Sequence, residues 1–99
     1  MKRLKLSSDE VTEEIAKITG WSIRNQKLYR QFHFKDFKEA FGFMTRVAVE
    51  AERMDHHPDW KNVYNRIEVE LNTHDLGGIS NLDFDLAIRM NEIFESKIS

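Results

Sequence analysis

The sequence predicts an α+β fold, a two-layer sandwich in which a four-stranded antiparallel sheet carries helices on one face, in the order α-β-β-α-β-β-α. Three patterns predict it. Between Arg66 and Asn72, Ile67, Val69 and Leu71 alternate with Arg66, Glu68, Glu70 and Asn72, so one face meets a core and the other meets water. From Phe37 to Met54 apolar residues recur at three- and four-residue spacing, the period of an amphipathic helix. Leu82, Leu86, Met90, Ile93 and Phe94 repeat that spacing near the end of the chain.

Each element follows from local chemistry. Ser8 is the expected N-cap of a short first helix, Gly20 its C′ residue, and Val11, Ile15 and Ile18 its apolar face. Trp21–Arg24 and the aromatic-rich Leu28–Phe34 read as strands joined by the weak turn Asn25-Gln26. Asp36 caps the long helix, whose stripe is Phe37, Ala40, Phe41, Met44, Val47, Ala48, Ala51 and Met54. Pro58 disfavours helical geometry at the residue before it, so His56 and His57 fall just past the helix end. Trp60–Tyr64 is a short strand, Ile67–Leu71 a clearer one, and Asp75-Leu76-Gly77-Gly78 a loop. Ser80 caps the last helix, with Asp83 three residues on in a capping-box arrangement. Phe84 and Ile88 widen that helix's apolar stripe beyond what one sheet face needs. The surplus predicts a second burial, against another subunit, and two open sheet edges favour the same outcome.

Composition narrows the function. Ninety-nine residues, 40% hydrophobic and 32% charged, make a single domain over 1–99 with a modest core that oligomerisation would help. A formal net charge of −2 with interspersed signs argues against a nucleic-acid surface. No segment approaches a membrane span. The basic start Met1-Lys2-Arg3-Leu4-Lys5-Leu6 lacks the apolar run of a secretion signal and reads as a frayed tail. There is no cysteine, which excludes disulfides, thiolate catalysis and cysteine-ligated zinc and makes the cytoplasm the default location.

Three of the four histidines form one constellation: His56 and His57 in Asp55-His56-His57-Pro58-Asp59-Trp60, and His74 in Asn72-Thr73-His74-Asp75. Imidazoles titrate near neutrality and suit proton transfer. Glu52, one turn before His56, is placed to orient that ring, or is a surface carboxylate on a solvated helix face. Asp83 is explained by capping, or functionally as a carboxylate held near His74 by the Gly77-Gly78 loop. Trp60 reads as core, or as a rim residue that stacks on a flat heterocycle. His33 reads as an exposed strand residue. The spacing fits no zinc motif, and neither the Walker pattern nor the dinucleotide fingerprint is present. Metal-free acid–base chemistry, with no metal and no nucleotide cofactor, is the expectation.

The pattern Glu52, three residues, His56-His57-Pro58, five residues, Tyr64, nine residues, His74, eight residues, Asp83 resembles that of the pterin-4a-carbinolamine dehydratases. Phe37-Lys-Glu-Ala-Phe-Gly-Phe-Met44 and Asp55–Asn65 also resemble that family, and the likeness extends from about Trp21. The resemblance implies the same α+β fold, homodimers through sheet edges and homotetramers through helix packing. It implies dehydration of 4a-hydroxytetrahydrobiopterin to quinonoid dihydropterin, in tetrahydrobiopterin recycling, with the pterin as substrate and no cofactor. Carried over by position, His56 and His74 become acid and base, and His57 binds and orients the ring. Glu52, Asp55 and Asp83 tune or orient the histidines, Pro58 and Trp60 form walls, and Thr73 lies near the pterin's polar edge. Some animal relatives also dimerise a homeodomain transcription factor through a helical surface, which implies a possible protein-interaction role. Leu82 stands where animal members carry a basic residue, so any contact made by that residue is missing from this position.

Overall fold

In the computed structural model, which describes residues 2–96, the elements are α1 (Ser8–Ile15), β1 (Ser22–Arg24), β2 (Lys27–His33), α2 (Phe37–Met54), β3 (Asp59–Val63), β4 (Arg66–Leu71) and α3 (Asn81–Glu95), with a 3-10 turn at His74–Leu76. Neighbouring strands pair antiparallel in the order β1-β2-β4-β3. The α-β-β-α-β-β-α order read from the sequence is the order observed.

The alternation in β4 places Ile67, Val69 and Leu71 at 1% exposure or less, beneath the helices. Arg66, Glu68 and Glu70 lie half-buried on the open face. Leu28 and Phe32 join the core from β2, Ala40, Phe43 and Val47 from α2, and Leu86, Ala87 and Met90 from α3. Phe32 sits among the rings of Trp21, Phe43 and Phe94, with centroids 6.0, 4.7 and 5.1 Å away. Burial of such a ring contributes about 1.5–3 kcal/mol, so this cluster fixes both helices on the sheet. Asp36 caps α2 as expected, its carboxylate accepting the Glu39 N–H at 2.9 Å.

Several local expectations are corrected. The cap of α1 is Ser7, not Ser8: its hydroxyl accepts from the Glu10 N–H, and the Glu10 carboxylate accepts from the Ser7 N–H at 2.8 Å. That reciprocal arrangement needs an acid three residues on, and Ser8 is followed at that spacing by Val11. Helix α1 ends at Ile15, so Gly20 is not its C′ residue. Gly20 has φ +87°, and a Cβ there would lie 2.6 Å from the Arg30 guanidinium, so it serves the approach to β1. Asn25 and Gln26 both have positive φ, 53° and 65°. The twist of a two-residue hairpin demands this, which is why a turn without glycine gave only a weak signal.

The wide apolar stripe of α3 is used in part within the chain. Phe84 is 5% exposed and belongs to the core, while Ile88 is 42% exposed. Helix α3 packs on both the core and α2, which uses most of its wide stripe within the chain. Two exposed phenylalanines lie on α2, where Phe37 and Phe41 are 50% and 53% exposed with ring centroids 5.7 Å apart.

Residues 2–6 are pinned rather than frayed. The Leu6 N–H donates to the Ile79 carbonyl at 2.9 Å, and the Asn81 N–H to the Leu4 carbonyl at 3.2 Å. The Asn81 side chain grips the segment as well, accepting from the Leu4 N–H at 2.7 Å and donating to the Lys2 carbonyl at 2.8 Å. A basic composition alone does not reveal that the backbone at 79–81 is available to receive it. No helix among the described residues is long and apolar enough to cross a membrane.

Candidate active site

The end of α2 aims the first histidine. Asp55 takes the left-handed conformation, φ 54° and ψ 42°. Its N–H donates to the Glu52 carbonyl, and the His56 N–H to the Ala51 carbonyl at 3.0 Å. This is a Schellman closure, so the helix is stopped by Asp55 and its backbone, with Pro58 beyond it. Asp55 thus acts on His56 through the backbone, and its exposed side chain borders a cavity. The reversal turns His56 inward, leaving its side chain 10% exposed.

His56 meets Asp83, not Glu52. Its Nε2 lies 2.6 Å from Asp83 Oδ1. Asp83 is wholly buried, and its other oxygen, Oδ2, accepts from the Ser80 N–H at 2.8 Å and the Thr73 hydroxyl at 2.9 Å. Thr73 Oγ1 and Ser80 Oγ are 2.6 Å apart, and Ser80 Oγ accepts the Leu82 N–H at 3.1 Å. These contacts have one consistent direction. The single Thr73 proton goes to the carboxylate, so the Ser80 hydroxyl must donate to Thr73. Asp83 then faces donors on Oδ2 and sits in the first turn of α3, where backbone N–H groups favour negative charge. Its remaining oxygen accepts a proton held on His56 Nε2, which leaves Nδ1 as the unprotonated nitrogen of the neutral ring. Nδ1 has no partner among the described residues, where no buried side-chain polar atom is left unsatisfied, so it is open to solvent.

The other two histidines differ from the first. His57 Nε2 lies 2.7 Å from Glu52 Oε2, with side chains 55% and 77% exposed. The carboxylate assigned to His56 from helical spacing therefore serves His57, and the one assigned to His74 serves His56. Helical i,i+4 spacing stops applying where Asp55 reverses the chain. His74 opens the 3-10 turn, is exposed, and makes no side-chain hydrogen bond among the described residues. It follows Thr73, whose hydroxyl holds Asp83, so one short path of contacts joins His74 to His56. Thr73 itself is 3% exposed, and its hydroxyl is engaged inside the protein rather than offered at a ligand's edge.

The remaining candidates are spread more widely. Pro58 is half-buried between His57 and β3. Trp60 pairs with Val69 across the edge strand and packs, half-buried, against the core. Tyr64, although part of the sequence pattern, lies in the β3–β4 turn at the opposite end of the sheet, 62% exposed with φ 51°. A cavity of about 370 Å³ opens between Arg3, Met54, Asp55, Asp75 and Leu82, beside the neighbours of His56 and His74. A larger one, about 490 Å³, lies at the far end of the sheet, over Phe34, Phe43 and Phe94. Its lining includes His33 and Glu39, but they do not pair: His33 Nε2 lies 3.3 Å from Gln31 Oε1, and Glu39 Oε1 accepts from the Lys35 N–H at 3.3 Å. Among the described residues no group of three or more His, Asp or Glu side chains is placed to hold a metal ion. The hydroxyl pair Thr73–Ser80 and the position of Arg3 at this cavity escaped sequence reasoning; Ser80 was visible only as a helix cap.

Known proteins share the sequence and the fold of this chain. A sequence profile described as pterin 4 alpha carbinolamine dehydratase matches residues 4–93. A protein of Prochlorococcus marinus strain MIT 9515, whose name places it with the pterin-4-alpha-carbinolamine dehydratases, is 53% identical over 95 residues, covering 96% of this chain and 99% of its own. A similarly named protein of Mesorhizobium japonicum is 52% identical over 96 residues, covering 95% of this chain and 98% of its own. The crystal structure of a transcriptional coactivator/pterin dehydratase from Brucella melitensis superposes with a TM-score of 0.88 at 42% identity, over 91% of this chain and 98% of that one. A pterin dehydratase-like RuBisCO assembly factor of the alpha-carboxysome shares the fold alone, with a TM-score of 0.65 at 18% identity, over 76% of this chain and 89% of that one. With the family profile matching residues 4–93, relatives 52–53% identical over nearly the whole chain and a shared fold, the chain belongs to the pterin 4 alpha carbinolamine dehydratase family.

Proposed function

We propose that this chain dehydrates pterin-4a-carbinolamine to quinonoid dihydropterin and water by histidine acid–base catalysis, in tetrahydrobiopterin recycling. The observation that carries the reading is the buried His56–Asp83 pair, 2.6 Å apart, which holds one imidazole in a defined tautomer. In the reaction a protonated histidine delivers its proton to the 4a-hydroxyl. The C4a–O bond breaks, its electron pair leaves with water, and the N5 lone pair closes the C4a=N5 bond. A second histidine removes the N5 proton. His56 and His74 are the proton carriers in this scheme, and His57, fixed by Glu52, orients the ring with Pro58 and Trp60 as walls. An imidazole suits both steps near neutral pH, where adequate proton-transfer strength and the correct protonation state coexist. A stopped-flow measurement of carbinolamine dehydration is expected to show acceleration over the spontaneous reaction. A rate equal to the buffer control ends this reading.

The same reading includes a homodimer or homotetramer. It is supported by the open edge strands β1 and β3 and by the exposed Phe37–Phe41 pair on α2. Aromatics so exposed on one helix face mark an interaction surface, and the same face could serve another protein partner. Sedimentation of the wild type is expected to give a multiple of the 11.8 kDa chain mass. The Phe37→Asp/Phe41→Asp variant is expected to shift to a smaller species. A monomeric wild type at micromolar concentration removes the oligomer from the reading.

A further inference from the structure

The segment from Lys2 to Leu6 is held with more care than its exposure explains. Lys2, Arg3, Leu4 and Lys5 are all exposed, and exposed surface adds little to stability. Yet four hydrogen bonds fix the segment against 79–81, and two of them occupy the side-chain amide of Asn81. The result is a strap laid across the start of α3, next to the residues that hold Asp83.

What the strap places there is Arg3. Its guanidinium Nη1 lies 3.1 Å from Asp75 Oδ2, and both side chains are solvent-accessible, at 43% and 74%. An ion pair this exposed contributes little to folding, so stability does not account for it. Arg3 is the sole cation among the described residues lining the 370 Å³ cavity, facing Asp55 and Asp75 with Met54 and Leu82 as apolar wall. The volume is within the range of small-molecule sites. None of the three histidines lines the cavity; it adjoins them through Asp55, the residue before His56, and Asp75, the residue after His74.

We propose that the Lys2–Leu6 strap is a wall of the substrate site and that Arg3 is a substrate-binding residue, donating to the ring carbonyl of a flat heterocycle whose N–H donors face Asp55. A guanidinium fork beside a carboxylate matches an edge that alternates a carbonyl oxygen with N–H groups. A loosely held pair lets the guanidinium exchange Asp75 for the ligand without breaking the fold. The proposal rests on the pterin reading above, and it supplies a cation next to Leu82 from a different part of the chain.

Kinetics of carbinolamine dehydration and equilibrium binding of an unreactive 7,8-dihydropterin test it together. Arg3→Ala is expected to raise both KM and Kd about tenfold, one lost charge-assisted hydrogen bond, with kcat within about twofold. Arg3→Lys, which keeps the charge without the fork, falls between. Asn81→Ala, which releases the strap and leaves Arg3 intact, moves KM in the same direction. Lys17→Ala, a cation on the distant α1 side, leaves both constants unchanged. Arg3→Ala with KM and Kd both within about twofold of an active wild type overturns the strap alone. A wild type that neither binds dihydropterin nor accelerates the reaction overturns the strap together with the pterin reading.

Discussion

Replacing His56 by glutamine is expected to leave the protein folded and to lower the catalysed dehydration rate by at least about a hundredfold, the lower range for loss of a general acid or base. The two effects separate because the two ring nitrogens do different work. Nε2 donates to the buried Asp83 carboxylate at 2.6 Å, and the glutamine amide nitrogen can occupy that position and keep the hydrogen bond. Nδ1, which is open to solvent and without a partner among the described residues, has no titratable counterpart in glutamine. His56→Ala is the harsher change. It leaves Asp83 Oδ1 without its donor in a site of zero exposure, at a cost of about 1–3 kcal/mol. Single-turnover rates and thermal midpoints for both variants check this. A His56→Gln enzyme within about tenfold of wild type would place the essential proton transfer elsewhere.

The fold was largely legible because its strongest signals are periodic. Alternation over Arg66–Asn72 and the three-four spacing over Phe37–Met54 each report a burial pattern that only one element type satisfies. The histidine cluster was legible for a different reason: its members flank elements that meet at one end of the sheet. The pairings inside it were not. Spacing suggested Glu52 with His56 and Asp83 with His74, whereas the observed pairs are Glu52 with His57 and Asp83 with His56. The cause is one backbone conformation. Asp55 at φ 54° reverses the chain between Glu52 and His56 and exchanges which ring faces inward. A non-glycine residue in that conformation is uncommon, and nothing in the local sequence announces it. The width of the stripe on α3 showed that it contacts more than a sheet, but not that Phe84 enters the core and that α2 of the same chain covers part of the rest, with Ile88 left 42% exposed.

Asp83→Asn is expected to lower the rate by about 10²–10⁴-fold while costing less stability than alanine at the same position, because it inverts the tautomer of His56. The Ser80 N–H points at Oδ2 from 2.8 Å, and a backbone donor cannot reverse its direction. The Thr73 hydroxyl lies on the same oxygen. An asparagine must therefore turn its carbonyl oxygen toward Ser80 and Thr73 and its NH₂ toward His56. Nε2 then has to accept, the proton moves to Nδ1, and the nitrogen that faces the solvent loses its free lone pair. Aspartate-to-asparagine changes beside catalytic histidines act in this way in serine hydrolases. Nitrogen-15 shifts of the His56 ring are expected to report a proton on Nε2 in the wild type and on Nδ1 in the variant. Thr73→Val removes one donor to Oδ2 but leaves the Ser80 N–H in place, so the tautomer survives and the loss is smaller, about tenfold, with Thr73→Ser restoring it. The order of the three separates direction from packing: a structural role alone would rank the near-isosteric Asp83→Asn as the mildest change. Asp83→Asn with an unchanged His56 tautomer and a rate within about tenfold of wild type would show that the carboxylate serves the fold and not the proton.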